Sequence, residues 1–212
     1  MELLVPILFA FVFVAIVAAA VLLMTRGRRR ESALLQDSDT ALHDLAERWG
    51  WTYEAEETGF ADRFTGFPFS QTARGRISRE MLHGSFRGRQ AVCLLYVPTP
   101  MTVGERRTYR RHYRVFTLQL AREVATLQVT PTARDVRPRG DDALAQRVLS
   151  AEVRTAVRER GLPIRFEGDV LMTWFEQKHS FGPAEVEAGF AYLDEIADLL
   201  PEELGGTHCR PG

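Results

Sequence analysis

The feature that most constrains this chain is an uncharged apolar run over residues 3–24, followed at once by Arg26, Arg28, Arg29 and Arg30. A helix of that length measures about 33 Å and can cross a hydrocarbon core of about 30 Å. Fifteen residues of the run are Leu, Ile, Val or Phe, which favours membrane insertion by about 5 to 9 kcal/mol. Apolar side chains would surround the helix, as lipid contact requires. The run therefore predicts a transmembrane anchor over residues 1–25.

The four arginines behind the run predict the orientation of the anchor. No basic residue precedes the run, so the positive-inside rule places the N-terminus outside and the rest of the chain in the cytoplasm. The sequence thus predicts a single-pass protein of the cell membrane, in which residues 26–37 form a basic stop and a tether. The same arginines are also expected to attract anionic lipid headgroups.

A cleaved signal peptide is the alternative reading of the same run, because residues 18–20 contain an A-x-A pattern. A signal peptide normally has a basic region before a shorter apolar segment. Here the only early charge is Glu2, and the positive charges come after the run. A retained anchor is the favoured interpretation, and cleavage would instead give a mature chain that starts near Val21.

The hydrophobic periodicity of residues 38–201 predicts one α+β domain. Helical spacing covers residues 38–49, 143–149, 151–160 and 183–200. Strand patterns cover residues 76–86 and 90–97 as one hairpin, then 108–120 and 125–130, and finally 164–167 and 170–177 as a second hairpin about Gly168. These patterns predict an antiparallel sheet of about six strands covered by about three helices. Residues 131–142 are expected to form an exposed connection, and residues 202–212 a disordered tail.

Charge is distributed unevenly along the chain. Residues 31–62 carry a net charge of −8, residues 63–139 carry +11, and residues 140–212 carry −7. The basic middle can pair internally with the acidic ends, which we favour, or it can leave a basic face exposed. The two cysteines, Cys93 and Cys209, have no C-x-x-C spacing, which agrees with a reducing cytoplasm.

The densest basic stretch lies before and within the predicted third strand. It contains Arg106, Arg107, Arg110, Arg111 and Arg114, with Tyr109 and Tyr113 between them. Strand alternation places Arg110, His112 and Arg114 on one face, and arginines beside aromatic rings can bind phosphate groups. One interpretation is therefore an anion site for lipid headgroups, with no nucleic acid expected. The other is the solvated face of a hairpin strand.

The sequence contains no recognised catalytic or metal-binding motif. The five histidines have no ligand spacing, and the sequence lacks phosphate-binding, dinucleotide-binding and serine-nucleophile motifs. We therefore expect neither a metal nor a cofactor. Phe60, Phe64, Phe67 and Phe69 mark a stretch that is interpreted as a loop fixed to the core by its aromatic side chains. The alternative is an aromatic-lined cleft, which would make this region an enzyme site.

Several local motifs carry a resemblance to a known group of proteins. They are the segments LAERWGWTY at residues 45–53, GFPF at 66–69 and LHGSFRGR at 82–89, followed by a strand that contains Tyr96. Together with the anchor they resemble membrane-anchored proteins, without an assigned activity, that are common in high-GC Gram-positive bacteria. The resemblance implies a retained anchor and one α+β domain, and it supplies no site residues.

These observations favour a membrane-tethered cytoplasmic binding or interaction module over an enzyme. Its expected partner is an anionic lipid or another protein at the membrane. The competing hypothesis is an enzyme with its site among residues 60–69.

Overall fold

The computed structural model describes residues 39–69, 76–98, 111–177 and 181–205. These residues form a six-stranded antiparallel sheet with helices, so the α+β prediction is confirmed. The predicted anchor, tether and topology arginines lie outside the described residues, as do Arg106, Arg107 and Arg110. Within the described ranges, no helix has the length and apolar character needed to cross a bilayer.

The described residues contain eleven helices and strands of the α and β type and one 3-10 helix. In chain order they are α1 (39–49), β1 (Thr52–Thr58), a 3-10 helix (Phe60–Arg63), β2 (Ile77–Phe86), β3 (Arg89–Tyr96), β4 (Tyr113–Pro131), β5 (Val136–Gly140), α2 (Asp142–Val148), α3 (Ala151–Arg160), β6 (Ile164–Glu176), α4 (Pro183–Asp198) and α5 (Glu202–Gly205).

The hairpin of β2 and β3 confirms the first strand prediction. Its two turn residues, Arg87 and Gly88, have φ values of 49° and 84°, as a two-residue turn with left-handed backbone requires. Phe86 pairs with Arg89 across this turn, and the ladder continues to Ser78 and Tyr96. The glycine supplies one of the two left-handed positions at no steric cost.

Strands β4 and β6 differ from the prediction. Residues 113–131 form one strand rather than two, and the predicted hairpin about Gly168 is wrong because β6 continues through it. Gly168 has a φ of 60° and pairs with Val124, where the register between β4 and β6 shifts. Its left-handed backbone thus accommodates an irregularity in a continuous strand. The predicted connection over residues 131–142 likewise contains strand β5.

Pairing along β4 determines the layout of the sheet. On one side β6 pairs with it from Tyr113 to Val129. On the other side β3 pairs with its first part, from Tyr113 to Leu118, and β5 with its last part, from Leu127 to Pro131. Strands β2 and β1 then extend the sheet beyond β3. The sheet therefore has a first half built on β1, β2 and β3, and a second half built on β5.

Five helices in the described residues cover one face of this sheet, which we call the helical face. The main core lies between them, with Phe116 and Phe166 from the strands and Val153, Phe190 and Ile196 from the helices all fully buried. Five helices are present rather than about three, because residues 202–205 form α5 where the sequence predicted a disordered tail. That turn is packed into the core, since Leu204 is 3% exposed.

The close packing of α4 on β4 generates a stability prediction. A Cβ atom added at Gly189 would lie 2.4 Å from Cε1 of Phe116. Gly189→Ala is expected to lower the free energy of unfolding, because overpacking costs about 1–3 kcal/mol and outweighs the helix propensity gain of about 1 kcal/mol. Urea unfolding of the full chain in detergent, followed by tryptophan fluorescence, measures the change. Glu187→Ala on the exposed side of α4 is the control, and equal midpoints for the two variants would contradict the prediction.

Candidate binding face

The face of the sheet opposite the helices has an apolar first half. Leu94 on β3, Val115 on β4 and Trp174 on β6 lie side by side in register. Tyr96 and Tyr113 form the neighbouring pair. Such a surface requires a cover, because a large exposed apolar patch is unfavourable in water.

Residues 59–69, which we call the aromatic loop, provide the cover. Phe64 and Phe69 are 3% and 1% exposed, their rings stack with centroids 5.2 Å apart, and Phe69 lies 5.0 Å from Tyr96. The rings fill the space between the loop and the sheet. The structure therefore supports the interpretation of a loop fixed by its aromatic side chains, and the described residues of the loop do not line an enzyme cleft there.

Two buried arginines hold the aromatic loop. Arg76 donates from Nη1 to the carbonyl oxygens of Ala61 and Phe64, at 3.0 and 2.7 Å. Arg165 donates from Nη2 to Oγ1 of Thr65 at 3.2 Å. Arg76 thus satisfies carbonyl groups of the loop that would otherwise be buried without partners, and Arg165 ties the exposed Thr65 to β6.

The contact between the loop and β6 is extended by Glu167. The backbone N–H and the hydroxyl of Thr65 both donate to Oε1 of Glu167, at 3.1 and 2.8 Å. Gly66 follows with a φ of 69°, and a Cβ atom there would lie 2.7 Å from Nη1 of Arg165. Glycine is needed at this position for both reasons.

Phe67 is the exception among the aromatic side chains of this loop. It is 53% exposed, although its ring packs edge-to-face on Tyr113 and Trp174, with centroids 5.1 and 5.9 Å away. Its position is thus defined by two fixed rings beneath it, while its outer side faces solvent. An exposed aromatic ring on a rigid base can contact an apolar partner with little loss of conformational entropy.

The second half of the same face carries polar and basic side chains. Gln128 and Thr130 on β4 pair with Arg139 and Arg137 on β5, and these four residues define what we call the open face. Their orientation follows from Val129, which is buried in the core on the helical side. Both arginines are exposed. Neither side chain has a hydrogen bond or an ion pair with any residue that the structure describes.

The predicted anion site does not form one exposed surface in the residues that are described. Arg114 is fully buried on the helical side of the sheet. It donates from Nη2 to Glu80 at 2.5 Å and from Nε to Gln177 at 2.9 Å, and its guanidinium lies 4.0 Å from the ring centroid of Phe181. Arg111 is exposed and lies 4.0 Å from Glu176.

Sequence reasoning missed the buried pair because Arg114 and Glu80 are far apart in the chain. Glu80 has a φ of 48° beside a register shift in β2, a conformation that nothing in its local sequence indicates. The open face was missed for a related reason. Residues 131–142 contain prolines and arginines typical of a loop, and only the pairing of β5 with β4 brings Arg137 and Arg139 onto the sheet.

Other groups with possible chemical roles are structural or exposed. Burial raises the pKa of the Cys93 thiol to about 12, with a partial opposing effect from Arg114, so this thiol stays neutral and is a poor nucleophile. His43, Asp44 and Glu47 could approach one metal ion. All three are exposed on one face of α1, where such groups are common without an ion.

Comparison with known proteins identifies a similar fold but no matching family. No protein-family model matches the sequence, and no curated protein matches it. The structure is similar to the crystal structure of the mycobacterial trehalose monomycolate transport factor A, TtfA, with a TM-score of 0.55. The match has 12% sequence identity and covers 77% of this chain and 96% of that one. At this identity the likeness shows a shared fold.

The buried position of Arg114 yields a second stability prediction. Arg114→Met would leave Glu80 buried without its counter-charge, which costs about 3–5 kcal/mol. Arg111→Met is the matched control, because this exposed arginine is expected to contribute less than about 1 kcal/mol. Urea unfolding in detergent measures both. A loss for Arg114→Met as small as that of the control would show that the buried pair does not stabilise the fold.

Proposed function

We propose that this chain is a membrane-tethered cytoplasmic binding module, and that the aromatic loop and the open face form its binding surface. The observation that carries the proposal is the exposure of Phe67 on a rigid base of Tyr113 and Trp174. A domain gains stability by burying such a ring, by about 1.5–3 kcal/mol for full burial. Exposing it at a defined position therefore favours a role in recognition.

The way the loop is held supports recognition rather than imperfect packing. Arg76 and Arg165 are 7% and 5% exposed, and both donate hydrogen bonds to this short segment. Such a loop presents Phe67 in one orientation, which lowers the entropic cost of binding. Binding surfaces on rigid supports are common among recognition modules.

The sequence supplies the tether in this proposal. Residues 26–38 separate the predicted anchor from α1, and thirteen residues can span at most about 50 Å. The domain would therefore work close to the inner leaflet. The fold that it shares with a transport factor supports an accessory role beside a membrane transport system, with a lipid or a protein of the membrane as the bound partner.

Photo-crosslinking in native membranes tests the binding surface. A photoreactive phenylalanine analogue is placed at position 67 of the full chain, with the same analogue at Glu187 on the opposite side as the control. We expect covalent adducts with a lipid or one membrane protein from position 67 and none from position 187. Equal labelling at both positions, or no labelling at position 67, would overturn the assignment of this surface.

Carbonate extraction of the same membranes tests the tether. The full chain is expected to remain in the membrane pellet, because residues 3–24 insert as a helix. A variant that lacks residues 3–24 is the control and should be released. Release of the full chain, or a mature N-terminus near Val21, would contradict the proposal of a retained anchor.

A further inference from the structure

The open face is a feature of the described residues that the fold itself does not explain. Arg137 and Arg139 lie two residues apart on β5 and project from the same side of the sheet. Both are exposed, and no described acidic residue pairs with them. Elsewhere the buried arginines Arg89 and Arg165 each have a carboxylate partner. The two arginines of the open face are thus available for an external anion.

The open face is continuous with the aromatic loop. Gly66 contacts the guanidinium of Arg165, Arg165 pairs with Gln128, and Gln128 pairs with Arg139. Because neighbouring strands lie about 4.8 Å apart, the backbones of Arg165 and Arg139 are separated by about 10 Å. The exposed ring of Phe67 follows directly after Gly66. The exposed ring of Phe67 and the two arginines therefore lie on the same side of the sheet, the ring towards the start of β4 and the arginines towards its end.

A third basic group lies on the aromatic loop itself. Arg63 is exposed, and its guanidinium lies 5.5 Å from the ring centroid of Phe60 and 5.8 Å from that of Phe64. The acidic residue between the loop and the open face, Glu167, is already engaged by Arg165 and Thr65. Arg63 thus adds a third exposed guanidinium on this side of the sheet.

We infer that this surface docks on the anionic cytoplasmic leaflet, with Phe67 at the headgroup level and Arg137 and Arg139 against lipid phosphates. The inference rests on the proposed membrane tether, and it names the partner of that binding surface. Apolar side chains such as Phe on interfacial segments bury at the boundary between headgroups and acyl chains, and each basic residue near an anionic surface strengthens association about fivefold. A tether of at most about 50 Å keeps the surface within reach of the same bilayer.

The test uses the full chain reconstituted by its anchor into vesicles, with Cys209→Ser as background. An environment-sensitive fluorophore is attached at Thr130→Cys on the open face, or at Glu187→Cys on α4 as the positional control. Quenching by lipids that carry spin labels near the headgroups reports contact with the bilayer. Vesicles contain either phosphatidylcholine alone or phosphatidylcholine with phosphatidylserine. We expect quenching only at position 130 and only in anionic vesicles.

Two sets of variants identify the groups responsible. Arg137→Glu/Arg139→Glu is expected to weaken docking by at least about 25-fold, because two contributions of about fivefold are lost. Arg48→Glu/Arg158→Glu makes the same change of net charge on helices α1 and α3 and should leave the quenching unchanged. Phe67→Ala should reduce quenching in anionic vesicles. Docking should also be lost at about 1 M salt, where the Debye length falls to about 3 Å.

Equal quenching at positions 130 and 187 would overturn the inference, as would quenching that persists after reversal of Arg137 and Arg139. Absence of docking in anionic vesicles would overturn it as well, and would leave a protein as the partner of the surface. Flotation of the same samples reports the tether separately. A chain that floats with vesicles but does not dock retains the proposed anchor, while a chain that fails to float contradicts the proposed function itself.

Discussion

Pairing between β4 and β6 is the constraint on which the rest of the structure depends. Because β4 is 19 residues long, one of its sides accommodates two different partners, β3 and β5, while β6 runs along the other side. The helices pack on one face of the β4–β6 ladder. On the opposite face, the length of β4 divides the sheet surface into two halves. The aromatic loop covers only the first half. The uncovered half thus results from a strand that is longer than the loop that packs on it.

Arginine has two distinct uses in this chain. Arg76, Arg89, Arg114 and Arg165 are almost fully buried. The first three bind carbonyl or carboxylate oxygens from distant parts of the chain. Arg165 pairs with Glu167, two residues away, and donates to the hydroxyl of the distant Thr65. The guanidinium group suits this role because it offers five donors in a fixed plane. Arg137 and Arg139 have no such structural role among the described residues. The uneven charge of the sequence is therefore only partly neutralised inside the fold.

Local signals in the sequence predicted local structure well. The helices over residues 143–149 and 151–160 and the hairpin that joins residues 76–86 and 90–97 were predicted from local sequence patterns, and the structure contains α2, α3 and the turn at Arg87 and Gly88 there. The errors concern Gly168, Glu80 and β5, where a long-range strand partner decides the conformation. The location of Arg114 was missed for the same reason. The aromatic loop was predicted correctly as a packed segment, but its one exposed ring could not be identified, because all four phenylalanines look alike in sequence.

The two features that remain unexplained by folding occur on one side of the sheet. The exposed ring of Phe67 adds little to the core, and the unpaired Arg137 and Arg139 add unfavourable like charge to one short strand. The outer side of Phe67 and the two arginines make no contact that accounts for their exposure. If stability were the only requirement, an apolar cover would be expected over both halves of this face. An amphipathic surface beside a predicted membrane anchor instead matches the chemistry of an anionic bilayer interface, where aromatic rings and arginines are both favoured.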